Sequence, residues 1–234
     1  MRSLHDGAAP LLRLDGVRIR AAGAWPGREF TIDVAPGEAL GVLGPRGSGK
    51  TALLDVVSGF LHPERGRIAL SGEDITGWAP RRIARAGVAR SFQTPPFLDG
   101  TVVYDAVVAA AIGRGLSARR TRDAVGIGLA ITGLEPKRYG TGAALEPAEQ
   151  RLLTLARVAA AAPRLALLDE PLAGLAPEAA GLVVSTLRRL REIGIPLIVT
   201  AHDAASLRVV CSRVVLMRDG RIVGAGRPGD LPHA

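Results

Sequence analysis

Apolar and polar positions along the chain follow two different periods, and these periods predict strands and helices. Residues 30–34 alternate with period two, as a half-buried strand does. The apolar stretches 11–14 and 17–20 flank Asp15-Gly16, a turn pair that predicts a hairpin between them. Further apolar runs predict strands at 39–43, 67–70, 165–168, 196–201, 214–217 and 221–223, the last two joined by a hairpin turn at Asp219-Gly220.

Helical periodicity fills most of the remaining chain. Helices are predicted from residue 52, over 80–90, over 177–193 and after residue 203. Residues 100–160 are rich in Ala and Leu at helical spacing, with breaks near Gly113, Gly133 and Gly140. Strands that alternate with helices predict an α/β fold with a mixed, mostly parallel sheet. We expect one domain over 1–234, with an antiparallel β subdomain at its N-terminus, a core of residues 1–93 and 163–234, and an inserted α-helical subdomain over about 94–162.

Composition narrows the class of protein. The 234 residues include 30 Lys and Arg against 22 Asp and Glu, which gives a net charge of +8. The basic residues are scattered rather than clustered, so nucleic-acid binding is not expected. A single cysteine, Cys211, rules out an internal disulfide and favours a reducing, cytosolic setting. No signal peptide and no apolar run of about 20 residues are seen, so any membrane association would need a partner.

The segment from Gly44 to Thr51 carries the strongest chemical signal. It fits the pattern G-x-x-x-x-G-K-T, between a predicted buried strand and a predicted helix. In such a loop, backbone N–H groups and the N-terminus of the helix surround phosphate oxygens. Lys50 is expected to reach the β- and γ-phosphates of a nucleotide, and the Thr51 hydroxyl to hold Mg²⁺. The predicted nucleotide-binding residues are Gly44, Pro45, Arg46, Gly47, Ser48, Gly49, Lys50, Thr51 and Ala52.

Polar residues follow two other predicted strands, at the strand ends where open α/β sheets bind ligands. Asp169 and Glu170 come after the strand at 165–168, and His202 follows the strand that ends at Ala201. Asp169 is a candidate Mg²⁺ partner, and Glu170 is a candidate for orienting or deprotonating the attacking water. His202 is a candidate for holding the γ-phosphate, and Gln93 for joining the Mg²⁺ shell. Taken alone, the acidic pair is equally consistent with a helix cap. A single histidine, taken alone, is more often a surface or core residue than a catalytic one.

Several short phrases resemble one family. Together with the phosphate loop and the acidic pair, they make the chain similar to the ATP-binding subunit of an ABC transporter over nearly its whole length. Within that family they resemble the importers of branched-chain (hydrophobic) amino acids. The phrases are Ser58-Gly59-Phe60-Leu61, Gly72-Glu73-Asp74-Ile75-Thr76-Gly77, Arg82-Ile83-Ala84-Arg85, Ala89-Arg90-Ser91-Phe92-Gln93 and Ala201-His202-Asp203.

The resemblance implies ATP and Mg²⁺ as ligands and a P-loop NTPase core as the fold. It implies a head-to-tail pair of ATP-binding subunits, with ATP held between the phosphate loop of one and the signature motif of the other. It also implies transmembrane permease subunits that are gripped by the region after Gln93, an indirect link to a solute-binding protein, and a location on the cytoplasmic face of the cell membrane. The transported solute is expected to be an amino acid of the branched-chain type or a related small solute.

The chain departs from the family at three places. Where the family has L-S-G-G-Q, the sequence reads Leu145-Glu146-Pro147-Ala148-Glu149-Gln150. Glu146 replaces a serine that would bind the partner's γ-phosphate, and Ala148 replaces a glycine. Ala21 falls where the family stacks an aromatic ring on adenine, with Arg20 or Trp25 as possible substitutes. Ala176 stands where the loop after the acidic pair usually carries Asp or Asn.

Four functions are compatible with these features to different degrees. The favoured one is an ATP-hydrolysing importer subunit that pairs with a different ATP-binding subunit bearing an intact signature. The alternative is a subunit that binds nucleotide but hydrolyses it weakly. A DNA-repair ATPase would need long coiled-coil arms, and 93–145 is too short to hold them. A small-molecule kinase would not account for the context of Gln93 or for His202.

Overall fold

The computed structural model describes residues 9–19, 28–92 and 100–230, and we refer to these as the described residues. The strands are β1 Leu12–Ile19, β2 Arg28–Val34, β3 Ala39–Leu43, β4 Arg65–Leu70, β5 Glu73–Asp74, β6 Val88–Arg90, β7 Leu165–Leu168, β8 Leu197–Ala201, β9 Arg213–Arg218 and β10 Arg221–Gly226. The α-helices are α1 Lys50–Val57, α2 Pro80–Ala86, α3 Val103–Arg114, α4 Ala118–Thr132, α5 Pro147–Ala160, α6 Pro177–Glu192 and α7 Ala204–Arg208. Short 3₁₀ turns occupy Glu135–Lys137 and Gly142–Ala144.

The chain forms two compact units, one of residues 1–83 and 196–234 and the other of residues 84–195. In the first unit the strands lie in the order β5-β4-β1-β2-β10-β9-β3-β8. β1 is antiparallel to β2 and β4, whereas β3 is parallel to β8 and β9. All five residues of β3 and all five of β8 are buried, as expected for strands covered on both faces. The sheet is therefore mixed, with antiparallel pairs among the N-terminal strands and between β9 and β10.

The second unit is mainly helical. It contains β6 and β7, which pair in parallel, and helices α3 to α6. The buried face of α5 includes Leu152, Leu153, Leu155 and Ala156, and it packs on α3, α4 and α6. The predicted helical subdomain falls inside this unit. No helix among the described residues is both long and apolar enough to cross a membrane.

The predicted hairpin at Asp15-Gly16 is wrong. β1 runs through both residues as one strand, and its register shifts there against both of its neighbours. Gly16 adopts a left-handed conformation (φ 54°), and its N–H donates to Thr31 Oγ1 at 3.1 Å. A turn pair can thus form a bulge when strands on both sides hold the flanking residues.

Two helix predictions also need correction. The helix expected over 80–90 ends at Ala86, because Gly87 is left-handed and β6 begins one residue later. The carbonyl of Gly87 accepts hydrogen bonds from the N–H groups of Arg164 (2.8 Å) and Leu165 (3.1 Å), which starts the pairing of β6 with β7. The break expected near Gly113 lies two residues later, because α3 ends at Arg114 and the left-handed Gly115 is its C-cap.

Candidate functional site

The phosphate-loop segment lies between β3 and α1, as predicted. The loop leaves the sheet at Gly44, and Gly49 is the N-cap of α1 with φ 106°. Gly44 has no room for a side chain, because a Cβ there would lie 2.4 Å from the carbonyl oxygen of Met217 and 2.6 Å from Ser48 Oγ. The residues between, Pro45, Arg46 and Gly47, are exposed. The loop therefore presents its backbone to solvent directly ahead of a helix N-terminus.

Lys50 is held inside the loop rather than extended from it. It is 5% exposed, and its Nζ donates to the carbonyls of Gly44 at 2.7 Å and Pro45 at 3.0 Å. A buried ammonium needs such partners, because it has lost its hydration. Carbonyls of the loop thus fix the amine beside the backbone N–H groups that would face a phosphate.

Ser48 provides a test of whether an anion fits this loop. Its side chain is 3% exposed, and its Oγ has no hydrogen-bond partner among the described residues. Its backbone is fully used, since Ser48 N donates to Pro45 O at 3.2 Å and Ser48 O accepts from Gly220 N at 2.8 Å. A buried hydroxyl without a partner is costly, and a phosphate oxygen in the loop would satisfy it. Thr51 is exposed on the first turn of α1, so its hydroxyl is available to a metal on that phosphate. Ala52 is buried and has no side-chain oxygen.

His202 leaves the sheet beside the phosphate loop. β3 and β8 pair in parallel with Leu43 opposite Ala201, and Gly44 N donates to Ala201 O at 3.2 Å. The chain therefore departs from neighbouring strand ends at Gly44 and at His202, and His202 is exposed. The structure brings these two predicted elements together within the first unit.

Asp203, next to His202, fixes the helix that follows. Its Oδ1 accepts from Ser206 N at 2.8 Å and its Oδ2 from the Ser206 hydroxyl at 2.7 Å, which caps α7. Burial raises the pKa of Asp203, but the hydrogen bonds from Ser206 and the nearby charge of His202 together lower it below its ordinary value. The carboxylate is therefore a stable cap that holds the backbone on one side of His202.

In the second unit, Asp169 follows β7 and is buried, with its side chain 3% exposed. Its N–H donates to Ser91 Oγ at 3.1 Å, and Ser91 N donates to Leu167 O at 2.8 Å. Arg90 ends β6, and its Nη2 lies 3.9 Å from Asp169 Oδ2. Sequence reasoning predicted Asp169 but assigned nothing to Arg90 or Ser91, although both lie in the quoted phrase that ends at Gln93.

Glu170 is half-buried and adopts an unusual backbone conformation, with φ 45°. The following residue is Pro171, which disfavours the right-handed helical region for the residue before it. A non-glycine residue in the left-handed region carries strain, and such strain concentrates at functional sites. Glu170 shares this left-handed backbone with Ser71, Ala162 and Asp219 among the non-glycine described residues.

Glu146 is the N-cap of α5 and takes part in a capping box. Glu146 and Glu149 each accept a hydrogen bond from the other's backbone N–H, with Glu146 N to Glu149 Oε2 at 3.0 Å. Pro147 is the first residue of the helix, where its missing N–H costs no hydrogen bond. Lys137 pairs with Glu149, and the hydrogen bond from Lys137 lowers the pKa of Glu149 against the effect of burial.

The rest of the signature segment is also ordered around this cap. Gln150 Nε2 donates to the carbonyl of Leu145 at 3.0 Å, Leu145 is buried, and Ala148 is half-buried. The N-terminus of α5 therefore already holds a carboxylate of its own chain. An anion from another subunit would have to compete with Glu146 for the same backbone N–H groups.

Some predicted residues lie outside the described residues. These are Gln93 and the adenine-stacking candidates Arg20, Ala21 and Trp25. The remaining Mg²⁺ candidates, Thr51 and Asp169, offer oxygen atoms, which Mg²⁺ prefers. No group of three or more His, Cys, Asp or Glu able to cage a metal occurs in the described part of the chain. A single hydroxyl or carboxylate oxygen is the kind of ligand expected where Mg²⁺ is held largely by nucleotide phosphates.

Comparison with known proteins gives the same family. A model described as "ABC transporter" matches residues 28–173. The lipopolysaccharide export system ATP-binding protein LptB of Acidithiobacillus ferridurans is 32% identical over 204 residues, which cover 87% of this chain and 85% of that protein. The molybdate/tungstate import ATP-binding protein WtpC of Pyrococcus horikoshii is 34% identical over 209 residues, covering 87% of this chain and 59% of that protein.

Solved structures agree on the fold. CbiO1 of Clostridium perfringens, part of the ABC transporter complex CbiONQ, aligns with a TM-score of 0.82 and 26% identity over 94% of this chain and 90% of that one. The ADP conformation of the ATP-binding cassette MJ1267 aligns with a TM-score of 0.84 and 24% identity over 94% and 92%. The family match, the relatives above 30% identity and the phosphate loop lead to one conclusion. The chain belongs to the ABC transporter family and is the ATP-binding subunit of an ABC transporter, an ATPase that couples ATP hydrolysis to transport.

Proposed function

We propose that this subunit powers the uptake of small solutes, of the branched-chain amino-acid type, through a partner permease. The use of ATP is supported above all by the phosphate loop. In this loop Lys50 is buried, and the Ser48 hydroxyl has no hydrogen-bond partner among the described residues. The importer assignment is supported by the sequence phrases, above all the one from Ala89 to Gln93. The named relatives include both an export and an import protein, so the direction of transport rests on those phrases.

Each catalytic role follows from the chemistry of one side chain. Lys50 would bind β- and γ-phosphate oxygens, and Ser48 would donate a hydrogen bond from its hydroxyl to a phosphate. Thr51, Asp169 and Gln93 would hold Mg²⁺, which supplies charge neutralisation at the phosphates when bound. Glu170 would orient or deprotonate the attacking water, and His202 would hold the γ-phosphate and position that water.

The signature segment supports a pairing with a different ATP-binding subunit. Loss of the usual serine removes a hydrogen bond to phosphate that contributes about 1.5–3 kcal/mol. A carboxylate about 4 Å from a phosphate oxygen adds repulsion of about 4 kcal/mol at an effective dielectric constant near 20. Since Glu146 is held in the capping box, repulsion is the larger effect. We therefore infer a heterodimer in which this chain supplies a competent phosphate loop and its partner supplies an intact signature.

The remaining assignments concern the transporter as a whole. The ATPase does not touch the solute, so specificity belongs to the permease and to any solute-binding protein. We propose that the segment after Gln93 contacts the permease and that the subunit works at the cytoplasmic face of the membrane. Nucleic acid is not among the proposed partners.

The test uses the assembled transporter. Both ATP-binding subunits are co-purified with the permease, and steady-state ATP turnover is measured with Glu170→Gln in this chain or with the equivalent change in its partner. Glu170→Gln is expected to abolish most of the turnover, and the partner's substitution to cost little. Equal losses from the two substitutions would contradict the asymmetry.

A second candidate function is a subunit that binds ATP but hardly hydrolyses it. The capping box at Glu146 favours it, because the cap blocks a phosphate contact at the partner's nucleotide. The same assay separates the two functions. Retained ATP binding without turnover, in every combination of subunits, would support the binding-only subunit.

A further inference from the structure

Arg90 lies between a buried carboxylate and an aromatic ring. Its side chain is 6% exposed, its Nη2 is 3.9 Å from Asp169 Oδ2, and its Cζ is 5.0 Å from the centre of the Phe92 ring. Asp169 is 3% exposed, so water screens this pair of charges little. The attraction between the two charges is therefore stronger than in an exposed ion pair, where water screens it.

The backbone around Asp169 is fixed independently of Arg90. Ser91 N donates to Leu167 O, and Asp169 N donates to Ser91 Oγ. These bonds tie the end of β6 to the end of β7, where Arg90 stands opposite Leu167. With the backbone of Asp169 held, its freedom lies mainly in its side-chain torsions, and the Arg90 guanidinium attracts its Oδ2.

The distance between Arg90 Nη2 and Asp169 Oδ2 is that of an ion pair rather than of a hydrogen bond. At 3.9 Å, Nη2 is farther from Oδ2 than the 2.7–2.9 Å or so of a charge-assisted hydrogen bond. The Phe92 ring limits how far the guanidinium can move on another side. Asp169, Ser91 and Phe92 also line one cleft, together with Arg151. The carboxylate is thus drawn toward Arg90 without this atom pair forming a short hydrogen bond.

We propose that Arg90 is a positioning residue for Asp169 and sets the orientation in which this carboxylate meets Mg²⁺. The inference rests on the proposed function, because it takes Asp169 as a Mg²⁺ partner. Groups that orient metal-binding side chains typically change metal affinity by about 10–100-fold when they are removed. A purely structural role for Arg90 would instead change the stability of the fold and leave metal-dependent nucleotide binding intact.

The experiment measures the affinity of the full chain for a fluorescent ATP analogue, in Mg²⁺ and in EDTA. We call the ratio of the Kd in EDTA to the Kd in Mg²⁺ the metal-dependent gain in affinity. Arg90→Gln is expected to reduce this gain about tenfold, and Arg90→Lys by less, since it keeps the charge but loses the planar fork. The control is Arg164→Gln, which removes an exposed arginine beside the opposite end of β7 and should leave the gain unchanged.

A double-mutant cycle separates this inference from the proposed function. Asp169→Asn should reduce the gain, and adding Arg90→Gln should reduce it no further, because Arg90 acts through Asp169. If Asp169→Asn reduces the gain and Arg90→Gln does not, or if their effects add, the role of Arg90 is overturned while that of Asp169 stands. If Asp169→Asn has no effect, the proposed metal role of Asp169 fails and this inference fails with it.

Thermal unfolding of each variant shows whether it folds. Should Arg90→Gln fail to fold, Arg90→Lys decides the question. A gain in Arg90→Lys that is about threefold below that of the unchanged chain supports the inference, and an equal gain overturns it.

Discussion

At the scale of single residues, the site depends on polar groups whose partners are set before any ligand arrives. The Lys50 amine donates hydrogen bonds to two carbonyls of its own loop, and the backbone of Glu170 adopts a left-handed conformation. Such groups lose little conformational freedom when a nucleotide binds, so more of the interaction energy appears as affinity. Hydrogen-bond donors that are already in position also stabilise the charge of a transition state most effectively.

The first prediction concerns Lys50. Lys50→Ala should weaken nucleotide binding by roughly 10–100-fold, because a hydrogen bond to a charged group contributes about 1.5–3 kcal/mol. Isothermal titration with ATP and Mg²⁺ measures the change. Lys137, the only other lysine in the chain, provides a matched control: Lys137→Ala should leave this affinity unchanged. Equal affinity for Lys50→Ala and the unchanged chain would remove the support for the proposed site.

At the scale of elements, the start of α5 shows how one substitution changes the chemistry of a helix without changing its bounds. Glu146 replaces a serine, yet it still caps the helix, because a carboxylate accepts backbone N–H groups as a hydroxyl does. Negative charge at a helix N-terminus is also favoured by the helix dipole. The helix is therefore well formed, while its N-terminus becomes less able to bind a phosphate.

The second prediction concerns the pH dependence of this cap. The pKa of Glu149 is lower in the folded chain than its ordinary value of 4.5, chiefly because of the hydrogen bond from Lys137. A lowered pKa stabilises the fold above the unfolded pKa, and this contribution is lost as the pH falls through the folded pKa. The free energy of unfolding should therefore be lower for Glu149→Gln at pH 7, with a difference that shrinks below about pH 4.5.

Urea unfolding at pH 7 and at pH 3.5 measures this difference. Lys137→Ala serves as the matched variant, because it removes the same pair from the other side and should show the same pH dependence. A difference between Glu149→Gln and the unchanged chain that stays constant down to pH 3.5 would argue against the pair as a stabilising feature.

At the scale of the whole molecule, the proposed asymmetry predicts which assemblies form. A head-to-tail pair of two copies of this chain would place a capped Glu146 signature against both nucleotides. Repulsion at both sites opposes such a homodimer, whereas a partner with an intact signature would relieve it at one site. Charge that disfavours the wrong partner is a common way to specify the right one.

The third prediction tests this with hydrolysis blocked. The Glu170→Gln chain with ATP and Mg²⁺ should stay near its monomer mass of 24.3 kDa in light scattering. Adding Glu146→Ser should produce ATP-dependent dimers, because serine caps a helix as well as the carboxylate and adds a donor for phosphate. Glu146→Gln removes the charge without supplying a hydroxyl and should give an intermediate population. Dimers of the Glu170→Gln chain alone would count against the asymmetry.

Much of this protein could be predicted from the sequence, because the relevant signals are local. The phosphate loop is contiguous, and its flanking strand and helix follow from apolar periodicity and from the residues that start a helix. The acidic pair after β7 and the proline that opens α5 are local as well. Residues near each other in sequence are constrained by short-range sterics and hydrogen bonding, and these constraints can be recognised in the sequence of residue types.

What the tertiary structure decided depends on distant partners. Asp15-Gly16 became a bulge because strands on both sides of β1 hold the residues around it. The helix after Pro80 stopped at Gly87 because that residue pairs with a segment almost eighty positions away. The proximity of Arg90 to Asp169 likewise appears only once packing fixes side chains in space. Local sequence therefore determined which chemical groups are present, and long-range packing determined which of them meet.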